Sequence, residues 1–215
     1  MAQVLLDGKT VHTSGTLPEK GSVAPGFVLV STDLKDVRLS DFNGSRIIMN
    51  IFPSLETMVC AESIRRFNAL ADRLDNTRVL CISRDLPFAH DRFNRKEGID
   101  GVVSLSEMRN TDFGDHYGLR IVDGPFAGLL SRSVIVLDAH HRVVYTQLVP
   151  EIGDEPDYES AVHALETADE PDTDPGVQGA AGVEGEAFCT KVPNGEHARL
   201  SDSDDACDDG RSGKI

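Results

Sequence analysis

Arg46-Ile-Ile-Met-Asn-Ile-Phe52, then Pro53-Ser-Leu-Glu-Thr-Met-Val-Cys60, then a periodic stretch to Leu74 and the run Arg78-Val-Leu-Cys-Ile-Ser83 decide the architecture of this chain. The first run is apolar at nearly every position, which suits a strand covered on both faces better than one with a wet side. From Cys60 to Leu74 the apolar residues Ala61, Ile64, Phe67, Leu70, Ala71 and Leu74 recur at helical spacing, with Arg65, Arg66, Asp72 and Arg73 largely off that stripe. Arg78–Ser83 repeats the buried-strand pattern. Strand, helix and strand in that order imply a parallel crossover, because parallel neighbours cannot be joined by a tight turn. The expected fold class is α/β, a three-layer sandwich.

Working toward the N-terminus, Val4–Leu6 and Thr10–His12 flank Asp7-Gly8-Lys9 and predict a small β-hairpin at the edge of the domain. Phe27–Val30 predicts a strand and Asn43-Gly44 a turn. Toward the C-terminus, Pro87–Phe93 and Asp112–Tyr117 predict short helices and Gly101–Leu105 a short strand. Ser133–Leu137 and Val143–Leu148 predict an antiparallel hairpin, with His140-His141 exposed in its turn. A last helix over Asp157–Thr167 closes a domain of residues 1–167. The remainder, 168–215, has another character: from Asp169 onward 12 acidic residues face 4 basic ones, a net of -8 out of the whole chain's -15. With Pro171, Pro175 and only scattered apolar residues, it reads as a disordered acidic tail.

A net charge of -15 argues against general affinity for nucleic acid or anionic membrane, since both require a basic surface. The N-terminus lacks the basic stretch and long apolar run of a secretory signal, and no segment approaches 18 uninterrupted apolar residues. A soluble, cytoplasmic protein is the expectation. The four cysteines, Cys60, Cys81, Cys189 and Cys207, form no CxxC or ferredoxin-like cluster. Cys189, His197 and Cys207 have no fourth partner at a metal-site spacing, so no metal is expected. Cys81 lies inside an apolar strand and is expected to be a buried, structural thiol.

Cys60 stands where a reactive cysteine belongs, at the start of a helix, where unpaired backbone N–H groups carry partial positive charge and favour the thiolate. A free thiol with a pKa of about 8.5 is only a few per cent ionised at neutral pH. A helix end supplies about 0.3–2 kcal/mol, so a cationic partner is expected as well. Arg132, immediately before the strand Ser133–Leu137, is the candidate: its guanidinium would stabilise the thiolate and orient a polar atom of the substrate through fixed donors. Thr57 can cap the helix, its hydroxyl accepting from backbone N–H groups and reaching substrate or sulfur. Pro53 shields the sulfur from water and adds no competing donor.

Pro53-Ser54-x-x-Thr57-x-x-Cys60 resembles the peroxiredoxin active-site motif, and the surrounding text is similar to the bacterial thiol peroxidase subfamily. Matching stretches include Leu80-Cys81-Ile82-Ser83, Asp85-Leu86-Pro87-Phe88-Ala89, Asp123-Gly124-Pro125 and Glu155-Pro156-Asp157-Tyr158, across roughly residues 1–167. The resemblance implies a thioredoxin-like fold, a homodimer, no metal or organic cofactor, hydroperoxide as substrate and thioredoxin as reductant. It also implies that Cys60 is the peroxidatic cysteine, with Pro53, Thr57 and Arg132 completing its pocket.

One departure matters. The subfamily carries a resolving cysteine in the helix after Leu86-Pro87-Phe88, where this chain has Arg92-Phe93-Asn94, and Asn94 cannot form a disulfide. Glu56 replaces a usual aspartate, and the bulky Met58 stands beside the cysteine and would narrow the substrate entrance. Two routes remain open: a tail thiol, Cys189 or Cys207, resolves Cys60, or an external thiol attacks its sulfenic acid directly. About 21 residues of flexible chain span roughly 25 Å, enough for Cys189 to reach the site. The acidic surroundings of Cys207 disfavour its thiolate, and Lys191 makes Cys189 the better candidate. An alternative function is a peroxide-responsive sensor that switches a binding partner when Cys60 is oxidised.

Overall fold

The computed structural model describes residues 1–168, and the expected acidic tail lies outside them. An N-terminal hairpin of β1 (Gln3–Leu6) and β2 (Lys9–His12) turns through Asp7 and Gly8, both at positive φ. It is followed by β3 (Val28–Ser31), β4 (Asp36–Arg38), β5 (Arg46–Ile51), α1 (Met58–Ala71), β6 (Thr77–Ser83) and α2 (Pro87–Glu97). Then come β7 (Val103–Ser106), α3 (Asp112–His116), β8 (Ser133–Leu137), β9 (Val143–Leu148) and α4 (Tyr158–Thr167). Strands β3 to β9 form one seven-stranded sheet in the order β4-β3-β7-β6-β5-β8-β9. The β5–β6 and β6–β7 pairs are parallel, as the helical crossovers require, and the outer pairs are antiparallel.

Alternation along β5 explains its continuous apolar character. Ile47, Met49 and Ile51 enter a core with Leu80, Ile82, Leu105, Ile135 and Leu137, closed over by Phe27, Phe113, Tyr117 and Leu130. Ile48 and Phe52 enter a second core on the opposite face, against Ile64 and Phe67 of α1 and Ala161 and Leu165 of α4, with Phe93 of α2 packed alongside. The sheet is thus flanked on both faces, and the α/β expectation is met. Three helices share one cover, and the other consists of the short α3 with irregular segments.

Several details differ from the sequence reading. Strand β4 was not expected, since Asp36-Val37-Arg38 holds a single apolar residue; β3 recruits it through a turn in which Leu34 takes φ +67. Helix α2 runs a full turn beyond Phe93, to Glu97, where Gly98 at φ +67 ends it. His141 is buried: it takes φ +58 in the β8–β9 turn, and its ring nitrogen faces the Phe42 carbonyl at 3.4 Å. Helix α4 is capped by Asp157, which accepts from the Ser160 N–H at 2.9 Å.

Candidate active site

Strand β5 ends at Ile51, and the loop Phe52–Thr57 carries the chain to α1. Thr57 is the N-cap in extended conformation (φ -91, ψ 145), so Cys60 is the third residue of the helix, within the first turn. Its side chain is fully buried. Because β8 pairs antiparallel to β5, with Ser133 opposite Ile51, the residue before β8 lies beside the end of β5. That residue is Arg132, only 2% exposed, and its Nη2 lies 3.3 Å from Cys60 Sγ. Nε donates to the Ile152 carbonyl at 2.9 Å, while Nη1 has no protein partner among the described residues. A guanidinium and a sulfur are therefore paired out of water, where their attraction is screened far less than at the surface.

Pro53, which has no backbone N–H, is buried in the same loop. Thr57 is placed differently from the capping expectation. Its hydroxyl donates to the Ser54 carbonyl at 3.2 Å, as does its own backbone N–H, and it makes no cap to the helix N–H groups. The tight turn Ser54–Thr57 offers that hydroxyl an acceptor nearer than the helix offers a donor. A groove of about 550 Å³ opens beside Leu55, Thr57, Val59, Ala61 and Phe93, and Met58 at its edge is 88% exposed. A second groove of about 660 Å³, between Leu70 of α1 and Tyr158 and Val162 of α4, touches neither Cys60 nor Thr57.

Beneath the loop lies a polar network that the sequence reading did not single out. The Asp85 carboxylate accepts from Ser54 Oγ, the Leu55 N–H and Ser83 Oγ, each at 2.8 Å. The Asp85 N–H donates back to Ser83 Oγ at 3.1 Å, and His90 Nε2 lies 3.0 Å from the same hydroxyl. Burial pushes the His90 imidazole down to about 4, with the Asp85 charge opposing. Asp85 is one of 36 acidic residues in the sequence, and the only hints it gave were its place two residues after the buried strand Thr77–Ser83 and its inclusion in the matching stretch Asp85–Ala89.

Cys81 is fully buried on β6, and burial pushes its thiol up to about 12, partly offset by the Asn50 amide at 3.7 Å. This agrees with its expected structural part. Asn94 projects from α2 to β7, where its amide contacts the Ser104 hydroxyl at 3.0 Å. Cys189 and Cys207 lie outside the described residues. Among the described residues, no three His, Cys, Asp or Glu side chains are grouped to hold a metal ion, and no helix is long and apolar enough to cross a membrane.

Residues 19–162 match the redoxin family. A thiol peroxidase of Corynebacterium glutamicum is 50% identical over 165 residues, which cover 77% of this chain and 99% of that protein. A thiol peroxidase of Mycobacterium bovis is 48% identical over 165 residues, with the same coverage. Of solved structures, a peroxiredoxin-like protein from Aquifex aeolicus is similar at a TM-score of 0.73 and 33% identity, covering 77% of this chain and 96% of that one. A thiol peroxidase from Chromobacterium violaceum shares the fold at a TM-score of 0.72 and 23% identity, with the same coverage. On these grounds the chain belongs to the redoxin family, as a peroxiredoxin of the thiol peroxidase type.

Proposed function

We propose that this chain reduces hydrogen peroxide and organic hydroperoxides at the expense of thiols, with Cys60 as its nucleophile. The observation that carries this reading is the buried contact of 3.3 Å between Arg132 Nη2 and Cys60 Sγ, in the first turn of α1. The Cys60 thiolate attacks the terminal oxygen of ROOH in line with the O–O bond. An S–O bond forms as the O–O bond breaks, two electrons pass from sulfur to the peroxide, and the departing alkoxide takes a proton to leave as ROH. Arg132 stabilises the charge that moves onto the leaving oxygen, and Nη1 is the donor with no protein partner among the described residues to give up. Thr57 borders the neighbouring groove, and with its hydroxyl proton given to the Ser54 carbonyl its oxygen is left to accept from the peroxide O–H, while Pro53 keeps water from the sulfur.

The resulting sulfenic acid condenses with a thiol to a disulfide and water, and a second thiol restores Cys60. Asn94 cannot supply that thiol, and Cys81 is too deeply buried to do so. Thioredoxin or another external thiol is the reductant we favour, with Cys189 and then Cys207 as the internal alternatives. Residues 1–167 carry the activity, and the protein works as a homodimer in the cytoplasm and uses no cofactor. Peroxide consumption by the wild type, Cys60→Ser and the double variant Cys189→Ser/Cys207→Ser tests it. Loss in the first variant with retention in the second is expected. Retained turnover in Cys60→Ser would sink the proposal. A Cys60–Cys189 or Cys60–Cys207 peptide after peroxide treatment would replace the external route by the internal one.

A further inference from the structure

We infer that Asp85 is a positioning residue for Cys60, its carboxylate clamping the loop Pro53–Thr57 against the ends of β6 and β7. The inference rests on the reading of Cys60 as the peroxide-reducing thiol. Past Phe52, whose N–H still donates to the Ile82 carbonyl of β6 at 3.1 Å, the loop pairs with no strand among the described residues, so its polar groups must be satisfied by other means. They converge on one carboxylate. The Leu55 N–H goes to Asp85 Oδ2, and Ser54 Oγ goes to Oδ1. The Glu56 N–H goes to Ser54 Oγ at 3.3 Å, and both donors of Thr57 go to the Ser54 carbonyl. Whatever holds Ser54 therefore holds Thr57, the residue from which α1 begins, and hence sets where Cys60 stands relative to Arg132.

Asp85 is itself immobilised. Ser83, the last residue of β6, gives its hydroxyl proton to Oδ2 and accepts from the Asp85 N–H. Ser106, the last residue of β7, donates to the Asp85 carbonyl at 2.5 Å. With its single proton committed, Ser83 Oγ can only accept from His90, which assigns the neutral Nε2–H tautomer to that ring. The chain of contacts runs from His90 in the first turn of α2 through Ser83 at the end of β6 and Asp85 in the connection between them to Ser54 in the loop. Three donors are aimed at the two carboxylate oxygens, one at Oδ1 and two at Oδ2. An amide there would turn an N–H toward one of them, and alanine would leave all three without an acceptor.

Displacing a reacting group by about 1 Å costs roughly 10²-fold in rate. In the full-length chain, Asp85→Ala should lose roughly 10²-fold in kcat/KM for hydrogen peroxide, with Asp85→Asn and Ser54→Ala intermediate. Peptide-resolved labelling with iodoacetamide supplies the readout that a merely structural role would not move. Cys60 displaced from the Arg132 guanidinium should be labelled more slowly than in the wild type, in step with the loss of activity, and Cys81, fully buried nearby, should stay protected. Activity within about threefold of the wild type in Asp85→Ala would overturn the inference. So would Cys81 labelling that rises in step with the loss in all three variants, or Cys60 labelling that stays at or above the wild-type rate while activity falls. Peroxide removal that survives Cys60→Ser in the same assay would instead overturn the underlying function.

Discussion

Arg132→Met replaces the guanidinium beside Cys60 with an uncharged chain of similar length. In the wild type Nη2 stands 3.3 Å from the sulfur, with both residues withdrawn from solvent. Unit charges at about 4 Å attract by about 4 kcal/mol at an effective dielectric of 20, an upper bound because it omits the cost of burying them. That bound equals roughly 10³ in rate. Removal of one preorganised donor from a developing oxyanion costs about 10²–10³, so two independent routes give the same range. Arg132→Met should therefore lower kcat/KM for hydrogen peroxide by roughly 10²–10³. It should also cost about 1 kcal/mol of stability, because the Ile152 carbonyl loses the Nε donor at 2.9 Å. Arg132→Lys keeps the charge but not the planar fork and should fall between the two. With no tryptophan in the chain, peroxide disappearance followed colorimetrically replaces intrinsic tryptophan fluorescence as the assay. A folded Arg132→Met protein that works within about threefold of the wild type would refute the electrostatic reasoning.

His90 is neutral in the native state down to about pH 4, whereas in the unfolded chain it takes a proton near pH 6.5. Between those values the unfolded state binds more protons, so stability falls as pH falls through that window, by about 3 kcal/mol in total. Urea midpoints at pH 7.5 and pH 4.5 should converge in His90→Gln relative to the wild type; equal acid losses in both proteins would refute the assignment. Asp157→Ala removes the α4 cap and should cost about 1 kcal/mol, seen as a Tm about 2–4 °C lower. Gly118→Ala should destabilise by more than about 1 kcal/mol, since Gly118 has φ +67 and an added Cβ would run into the Thr16 backbone. An unchanged thermal melt in that variant would contradict the packing of the N-terminal segment.

The sheet and its principal helices were legible because β5, β6 and α1 carry strong periodic signals that the two cores simply fill. Marginal elements were not: Asp36–Arg38 has no pattern of its own and is a strand only because β3 offers it a ladder. The burial of His141 depends on a contact with Phe42, 99 residues away, which no local pattern encodes. At the site, the neighbourhood of Cys60 and Arg132 could be anticipated, because a residue entering a strand projects beside the end of its partner. The Asp85 clamp could not be, since it gathers Ser54, Ser83 and His90 from three different elements and each is an ordinary polar residue in the text.

The contact between Arg132 and Cys60 joins residues separated by 72 positions. A ribosome adding about 5–20 residues per second needs about 4–14 s to travel from one codon to the other. Throughout that interval the nascent polypeptide holds its cysteine without the cation, and the pair cannot meet until β8 has slotted in beside β5. Translation order thus separates the making of the thiol from its arming, and a chain that stops short of β8 cannot present the paired sulfur and guanidinium to an oxidant.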